Sequence, residues 1–349
     1  MNKCIKSMTL NELENVVVSC GEKKFRAKQL YSWIHEKKVD SFEGMSNIPK
    51  SLKQNLLNNE YTLTTLKIVK VLESKIDGTC KYLFELPDGN IIEGVFMRYK
   101  HGNSVCISSQ VGCRMGCKFC ASTIGGVIRN LLPSEMLDQI YRIEEDKKEK
   151  ISNIVIMGSG EPFDNFDNVI RFLDLITDEK GLNISQRNIT VSTCGIVPKI
   201  IELADMQYQI TLAISLHASS QEKRKELMPI ANKYNINELI DACRYYFDKT
   251  GRRLTFEYSL VAGVNDSTAD ALELASLLKG INCHVNLIPV NPIEERDYKQ
   301  SDKDAILKFK NKLEKNIRNV TIRREMGRDI NGACGQLRRS YINEERSTK

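Results

Sequence analysis

Along the first 60 residues, apolar positions recur three and four apart. Leu10, Leu13, Val16 and Val17 mark one helix, the stretch 25–34 a second, and Ile48-Pro49 opens a third that runs through Leu52, Leu56 and Leu57. From Thr62 to Tyr99 the pattern changes to short strands at 66–71, 80–85 and 91–97. The turn signals Asp77-Gly78 and Pro87-Asp88-Gly89-Asn90 separate them and predict an antiparallel meander. From about residue 103, strands at 104–108, 153–157, 188–192, 209–216, 254–261 and 284–290 alternate with helical stretches such as 133–143 and 165–176. Such alternation predicts right-handed βα units on a parallel sheet. Six units are too few for a closed eight-stranded barrel, so the expected class is α/β with an open, partial barrel. A further strand is expected at 319–324. The expected division is a helical accessory domain at 1–60, an antiparallel β linker at 61–102 and the partial-barrel core at 103–349.

Composition narrows the class. Hydrophobic residues make up 41% of the 349 and charged residues 28%, a balance that fits a globular enzyme and not a disordered chain. No apolar run approaches the roughly 20 residues that span a bilayer, and the N-terminus lacks the apolar stretch of a secretory signal. The expected location is the cytoplasm, with no membrane partner. In that setting eleven cysteines read as thiols and metal ligands rather than a disulfide framework. Cys4, Cys20, Cys80, Cys194, Cys243 and Cys283 read as small hydrophobes. The net charge of +6 is compatible with an RNA substrate.

The sharpest chemical signal is Cys113, Cys117 and Cys120, spaced Cys-x3-Cys-x2-Cys with no fourth cysteine nearby. Thiolates this close hold a soft metal or an iron–sulfur cluster. A structural zinc site would want four ligands. Three thiolates on a four-iron cube leave one iron open to chemistry. In parallel barrels, chemistry gathers where strands end. There the chain has the cysteine loop, Gly158-Ser159-Gly160-Glu161-Pro162, Ser192-Thr193-Cys194-Gly195, Ser215-Leu216-His217 and Asn291-Pro292. Read singly, the glycines could be a plain turn and His217 a core histidine. Their shared position at successive strand ends favours a ligand site.

The triplet, with Phe119 before its last cysteine, resembles the signature of the radical S-adenosylmethionine superfamily, which implies a partial (βα)6 barrel. The strings Cys106–Cys113, Gly160–Pro162, Ser215–His217, Leu227–Ile230, Gly263–Asp266, His284–Pro289 and Ala333–Leu337 resemble one family within it, the dual-specificity adenine-C2 RNA methyltransferases. The likeness runs from about Phe25 to Arg339. One departure is Ser159, where that family usually has methionine.

The resemblance implies the following roles. Cys113, Cys117 and Cys120 hold one [4Fe-4S] cluster per subunit. Gly160, Glu161, Ser192, Ser215, Leu216, His217 and Asn291 contact S-adenosylmethionine, of which two molecules are consumed per methylation. Cys334 carries a methyl group, Cys106 releases the product and Glu93 is the proton acceptor. The substrates are 23S rRNA and tRNA, the electron donor is of flavodoxin type, and the chain is a monomer. Carbon 2 of adenine is a poor nucleophile, which is why a radical route is needed there. A sister group that methylates carbon 8 shares the triplet and both cysteines; the Gly-Glu-Pro loop and the 291–296 segment favour carbon 2.

Overall fold

The computed structural model describes residues 3–293, 296–330, 337 and 341. Three helices come first: α1 (Leu10–Ser19), α2 (Phe25–His35) and α3 (Lys50–Asn58). Thr9 and Glu12 form a reciprocal capping box that starts α1, with Thr9 N donating to Glu12 Oε2 at 2.8 Å and Glu12 N to Thr9 Oγ1 at 3.3 Å. The meander follows as β1 (Lys67–Glu73), β2 (Cys80–Glu85) and β3 (Ile91–Tyr99). Then come β4 (Gly102–Cys106), β5 (Gln110–Gly112), β6 (Val127–Asn130), α4 (Pro133–Lys147), β7 (Asn153–Ile156), α5 (Phe166–Thr177), β8 (Ile189–Thr193) and α6 (Val197–Asp205). The remainder is β9 (Thr211–Ser215), α7 (Gln221–Leu227), α8 (Ile236–Thr250), β10 (Leu254–Leu260), α9 (Thr268–Leu277), β11 (Cys283–Pro289), α10 (Lys303–Glu314) and β12 (Val320–Ile322).

Ten strands form one sheet in the order β1-β2-β3-β4-β7-β8-β9-β10-β11-β12. The pairs from β1 to β4 are antiparallel and those from β4 to β12 parallel. The expected α/β class and open parallel sheet are therefore present, with β1 and β12 as the edges. The meander continues this sheet, because β3 pairs directly with β4. The small antiparallel pair β5–β6, which brackets the cysteine loop, is absent from the sequence reading.

Strand periodicity sorts the parallel sheet into two faces. Ile154, Ile156, Ile189, Val191, Leu212, Ile214, Phe256, Val285 and Leu287 are buried in the main core, against the helices. The register carries the opposite face from Cys106 through Val155, Thr190 and Thr211, and from Ser192 through Ala213 to Thr255. That face also carries Ser215, Glu257 and Asn286. It is polar, which an inner face filled only by hydrocarbon could not tolerate.

The N-terminal helices share the main core through Leu13, Leu30, Ile34 and Leu52. Lys6 and Asp138 form a wholly buried ion pair that joins this segment to α4, and Lys6 Nζ also donates to Thr64 O at 2.5 Å. Arg171 on α5 grips Glu12 with two bonds of 2.9 Å. His35 is buried beside these groups, with Nδ1 2.8 Å from Tyr141 Oη and its ring 4.3 Å from that of Tyr31. Burial, helped by the Lys6 charge, pushes its pKa from 6.5 down to about 3.

The folded value lies below the ordinary one, so His35 costs nothing above about pH 6.5. As pH falls from there towards 3, the unfolded chain takes up a proton that the folded chain refuses. Stability then drops by up to about 1.4 kcal/mol per pH unit. In urea titrations between pH 6 and 4, His35→Gln should show a pH slope shallower by about one proton. Equal slopes would mean that His35 titrates normally.

Candidate active site

The cysteine loop runs between the short strands β5 and β6. It closes because Gly112 has φ +78° and lies so near Gly126 O that any Cβ would collide with it, while Cys113 N donates to Gly126 O at 3.0 Å. Inside the loop, Thr123 Oγ1 donates to Cys120 O at 2.9 Å and Cys117 O at 3.2 Å. Lys118 N donates to Leu227 O at 2.9 Å and ties the loop to the end of α7.

Cys113 and Cys117 are buried and Cys120 is half-buried. Burial pushes the Cys113 thiol up to about 12, with Glu161 and Cys120 adding. Burial pushes Cys117 in the same direction, with Cys120 and Cys113 adding. Three mutually repelling thiolates, two of them buried, are stable only with a cation among them. The donor set, all sulfur, fits an iron–sulfur cluster. Among the described residues, no three His, Cys, Asp or Glu side chains are gathered to hold one metal ion. A cluster asks less, since each thiolate binds a different iron.

The loop after β7 lies directly on the chain's own residues 107–110. A Cβ at Gly158 would stand 2.7 Å from Ile107 O, and one at Gly160 2.7 Å from Gln110 N. These glycines therefore serve a close approach of the protein to itself. Gln110 locks the two loops: its Oε1 accepts from Glu161 N at 2.8 Å, and its Nε2 donates to Asp164 Oδ2 at 2.8 Å. Arg114, in the cysteine loop, pairs with the same Asp164. The buried Ser159 hydroxyl has no hydrogen-bond partner among the described residues.

Glu161 is buried, and its carboxylate accepts from Phe163 N at 3.0 Å and Cys194 N at 2.7 Å. Burial raises its pKa, against these hydrogen bonds. Ser192 Oγ and Ser215 Oγ are 3.4 Å apart on neighbouring strands. Leu216 has its side chain in the core and its N–H donating to Glu257 O at 3.1 Å. His217 has φ +55°, accepts from Ser259 N through Nδ1 at 2.9 Å, and meets the Phe119 ring edge-on at 4.7 Å. Burial pushes His217 down to about 3, with Arg224 adding, so the ring is neutral with its proton on Nε2. Asn291 follows β11, two strands along the sheet from β9, whose end leads into Leu216 and His217.

Glu93 and Cys106 share the inner face: Cys106 pairs with Val95, and Glu93 is two residues along the same strand. Glu93 is buried 3.4 Å from Lys81 Nζ. Cys106 packs with Val95, Met97, Val155, Met157 and Met326. Cys334 lies outside the described residues, among which no cysteine is in a disulfide. The sequence reading missed Gln110, Arg114, Asp164 and Arg224. Gln110 and Arg114 flank Gly112-Cys113, and only that adjacency could have marked them.

A polar-faced parallel sheet with a three-cysteine loop and a glycine-rich loop at its strand ends defines the class as a radical S-adenosylmethionine enzyme. The model of the Radical SAM superfamily matches residues 107–275, and that of the ribosomal RNA large subunit methyltransferase N-terminal domain matches 5–61. The chain is 64% identical over 341 residues to a Lachnospira eligens protein named "Probable dual-specificity RNA methyltransferase RlmN", covering 97% of each. A protein of the same name from Lachnoclostridium phytofermentans is 61% identical, with 97% of this chain and 95% of that one covered. A crystal structure of a radical SAM methyltransferase from Sphaerobacter thermophilus superposes with a TM-score of 0.90 at 41% identity, covering 95% of this chain and 98% of that one. The chain belongs to the RlmN family of radical S-adenosylmethionine RNA methyltransferases. Membership implies a [4Fe-4S] cluster, S-adenosylmethionine and an RNA substrate. Among the described residues no helix is long and apolar enough to cross a membrane.

Proposed function

We propose that this enzyme methylates carbon 2 of an adenosine in the peptidyl transferase centre of 23S rRNA and of the adenosine 3′ to the anticodon in tRNA. Cys113, Cys117 and Cys120 hold the cluster. Gly160, Glu161, Ser192, Ser215, Leu216, His217 and Asn291 bind S-adenosylmethionine around it. The cluster, when bound, supplies the electron that cleaves S-adenosylmethionine to a 5′-deoxyadenosyl radical. Cys334 accepts a methyl group from one cofactor molecule, and a second is spent in activating that group. Joined to the adenine, the Cys334 sulfur then tethers protein to RNA. Glu93 takes the proton lost from carbon 2. The Cys106 thiolate attacks the Cys334 sulfur, forming a disulfide as the sulfur–carbon bond breaks, and the released carbon takes up a proton to leave the methylated RNA. The enzyme acts as a cytoplasmic monomer and draws electrons from a flavodoxin-type donor.

One observation carries this reading: Glu93 and Cys106 face the same interior as the cofactor loops, and the chain leading to Cys334 comes to them. Met326 packs on Cys106, and Leu337, three residues after Cys334 in sequence, packs on Leu83 and Ile91. Cys106→Ala should accumulate protein covalently joined to RNA, seen as a nuclease-sensitive mass shift; absence of any adduct would remove its resolving role. Nucleosides from RNA treated with the wild-type enzyme should contain 2-methyladenosine, and 8-methyladenosine alone would move the reaction to carbon 8.

A further inference from the structure

Arg224 is the largest side chain with essentially no exposure among the described residues. It sits on α7, where Glu222, Lys225 and Glu226 are exposed and Leu227, three residues on, is buried with it. Its Nη2 donates to Cys194 O at 2.7 Å, while Nε and Nη1 have no partner among the described residues. A buried guanidinium is strongly disfavoured unless anions compensate it. The acidic groups its charge meets are thiols: Cys194, Cys117 and Cys243.

The packing directs that charge at the cysteine loop. Cys117, Cys194, Leu227 and Met228 form one buried cluster, with Phe119 and Cys120 against it. Lys118 N bonds Leu227 O, and the space beside Gly116 is filled by Pro229, 3.3 Å from where a Cβ would be. The segment 224–229 is thus the floor on which the loop rests.

We propose that Arg224 is a positioning residue for the iron–sulfur cluster: a fixed buried cation beneath Cys117 that offsets the anionic thiolates and raises the cluster's reduction potential. This rests on the reading of the three cysteines as cluster ligands. Charge and hydrogen bonding around the sulfurs set such potentials. A nearby positive charge favours the reduced, more negative state.

The test uses the full chain, reconstituted anaerobically with iron and sulfide, without RNA or turnover. Wild type, Arg224→Met and Arg224→Lys are titrated redox-chemically, with the reduced cluster read by electron paramagnetic resonance and iron counted separately. Arg224→Met should load four irons but show about a tenfold smaller reduced-to-oxidised ratio at a given potential, or about 59 mV for a one-electron couple. Arg224→Lys should stay near wild type. If Arg224→Met fails to load, Arg224→Gln, which keeps N–H donors without charge, carries the same expectation. Failure of both neutral variants, with Arg224→Lys loading normally, also supports the charge. Equal potentials in neutral and charged variants overturn the proposal, as does an equal shift in Arg224→Lys. A wild-type chain that takes up no cluster would instead reject the ligand reading.

Discussion

Cys117→Ala should bind little iron and lose S-adenosylmethionine cleavage by at least about a thousandfold, or about 4 kcal/mol of barrier. Cys117 is buried, as Cys113 is, and burial there opposes a bare thiolate. With it gone, two sulfurs remain to hold a cube that needs at least three. The fold should survive, because the change removes one sulfur atom from a small apolar cluster. Cys194→Ala is the control. Its side chain packs in the same cluster and its thiol meets Glu161, but the backbone N–H to Glu161 and the carbonyl that accepts from Arg224 are kept by alanine. Iron content, visible absorbance and 5′-deoxyadenosine yield read the two variants. Full iron and normal cleavage in Cys117→Ala would show that this cysteine is no ligand.

The second large effect is steric. Gly160→Ala places a methyl 2.6 Å from Gln110 Cβ and 2.7 Å from Gln110 N, at a φ of +110°. Neither obstacle is the flexible end of a side chain. Overpacking of this kind costs about 1–3 kcal/mol, and the backbone conformation adds about 1–2 more. The displaced segment carries Glu161, so Gln110, Arg114 and Asp164 lose their register together. Urea unfolding should show a loss of about 3 kcal/mol, with cofactor binding weakened at temperatures where the chain is still folded. Gly89→Ala separates the two causes: φ is +79°, but no described residue lies within 4 Å of the new methyl. It should cost only about 1 kcal/mol. Equal losses in both would mean that backbone strain alone is responsible.

Much of the fold was legible because each signal is local. The helical spacing of Leu10, Leu13 and Val17, the alternation along β8 and β11, and the turns at Asp77-Gly78 and Pro87–Asn90 are properties of a few neighbouring residues. The hairpin β5–β6 was not legible. Its strands span only Gln110–Gly112 and Val127–Asn130, and the whole cysteine loop separates them. Neither is long enough to show a period. Gly158 and Gly160 read as close approach to a ligand, and the side of each where a Cβ would stand is taken by residues 107–110. That contact is invisible until β4 and β7 are neighbours.

By itself, the sequence determined which chemistry is available: three close cysteines, carboxylate and hydroxyl groups at strand ends, and the order of strands and helices that sets them there. Cysteine spacing constrains sulfur chemistry whatever the surroundings, because a short loop can reach only so far. Only the tertiary structure decided which face of the sheet is polar, that Glu93 and Cys106 look into it, and that Arg224, one of five charged residues in Gln221–Leu227, turns inward onto Cys194 O. Those facts depend on contacts between residues far apart in the chain. No run of neighbouring residues can encode where a distant strand will pair or which charge will be stripped of water.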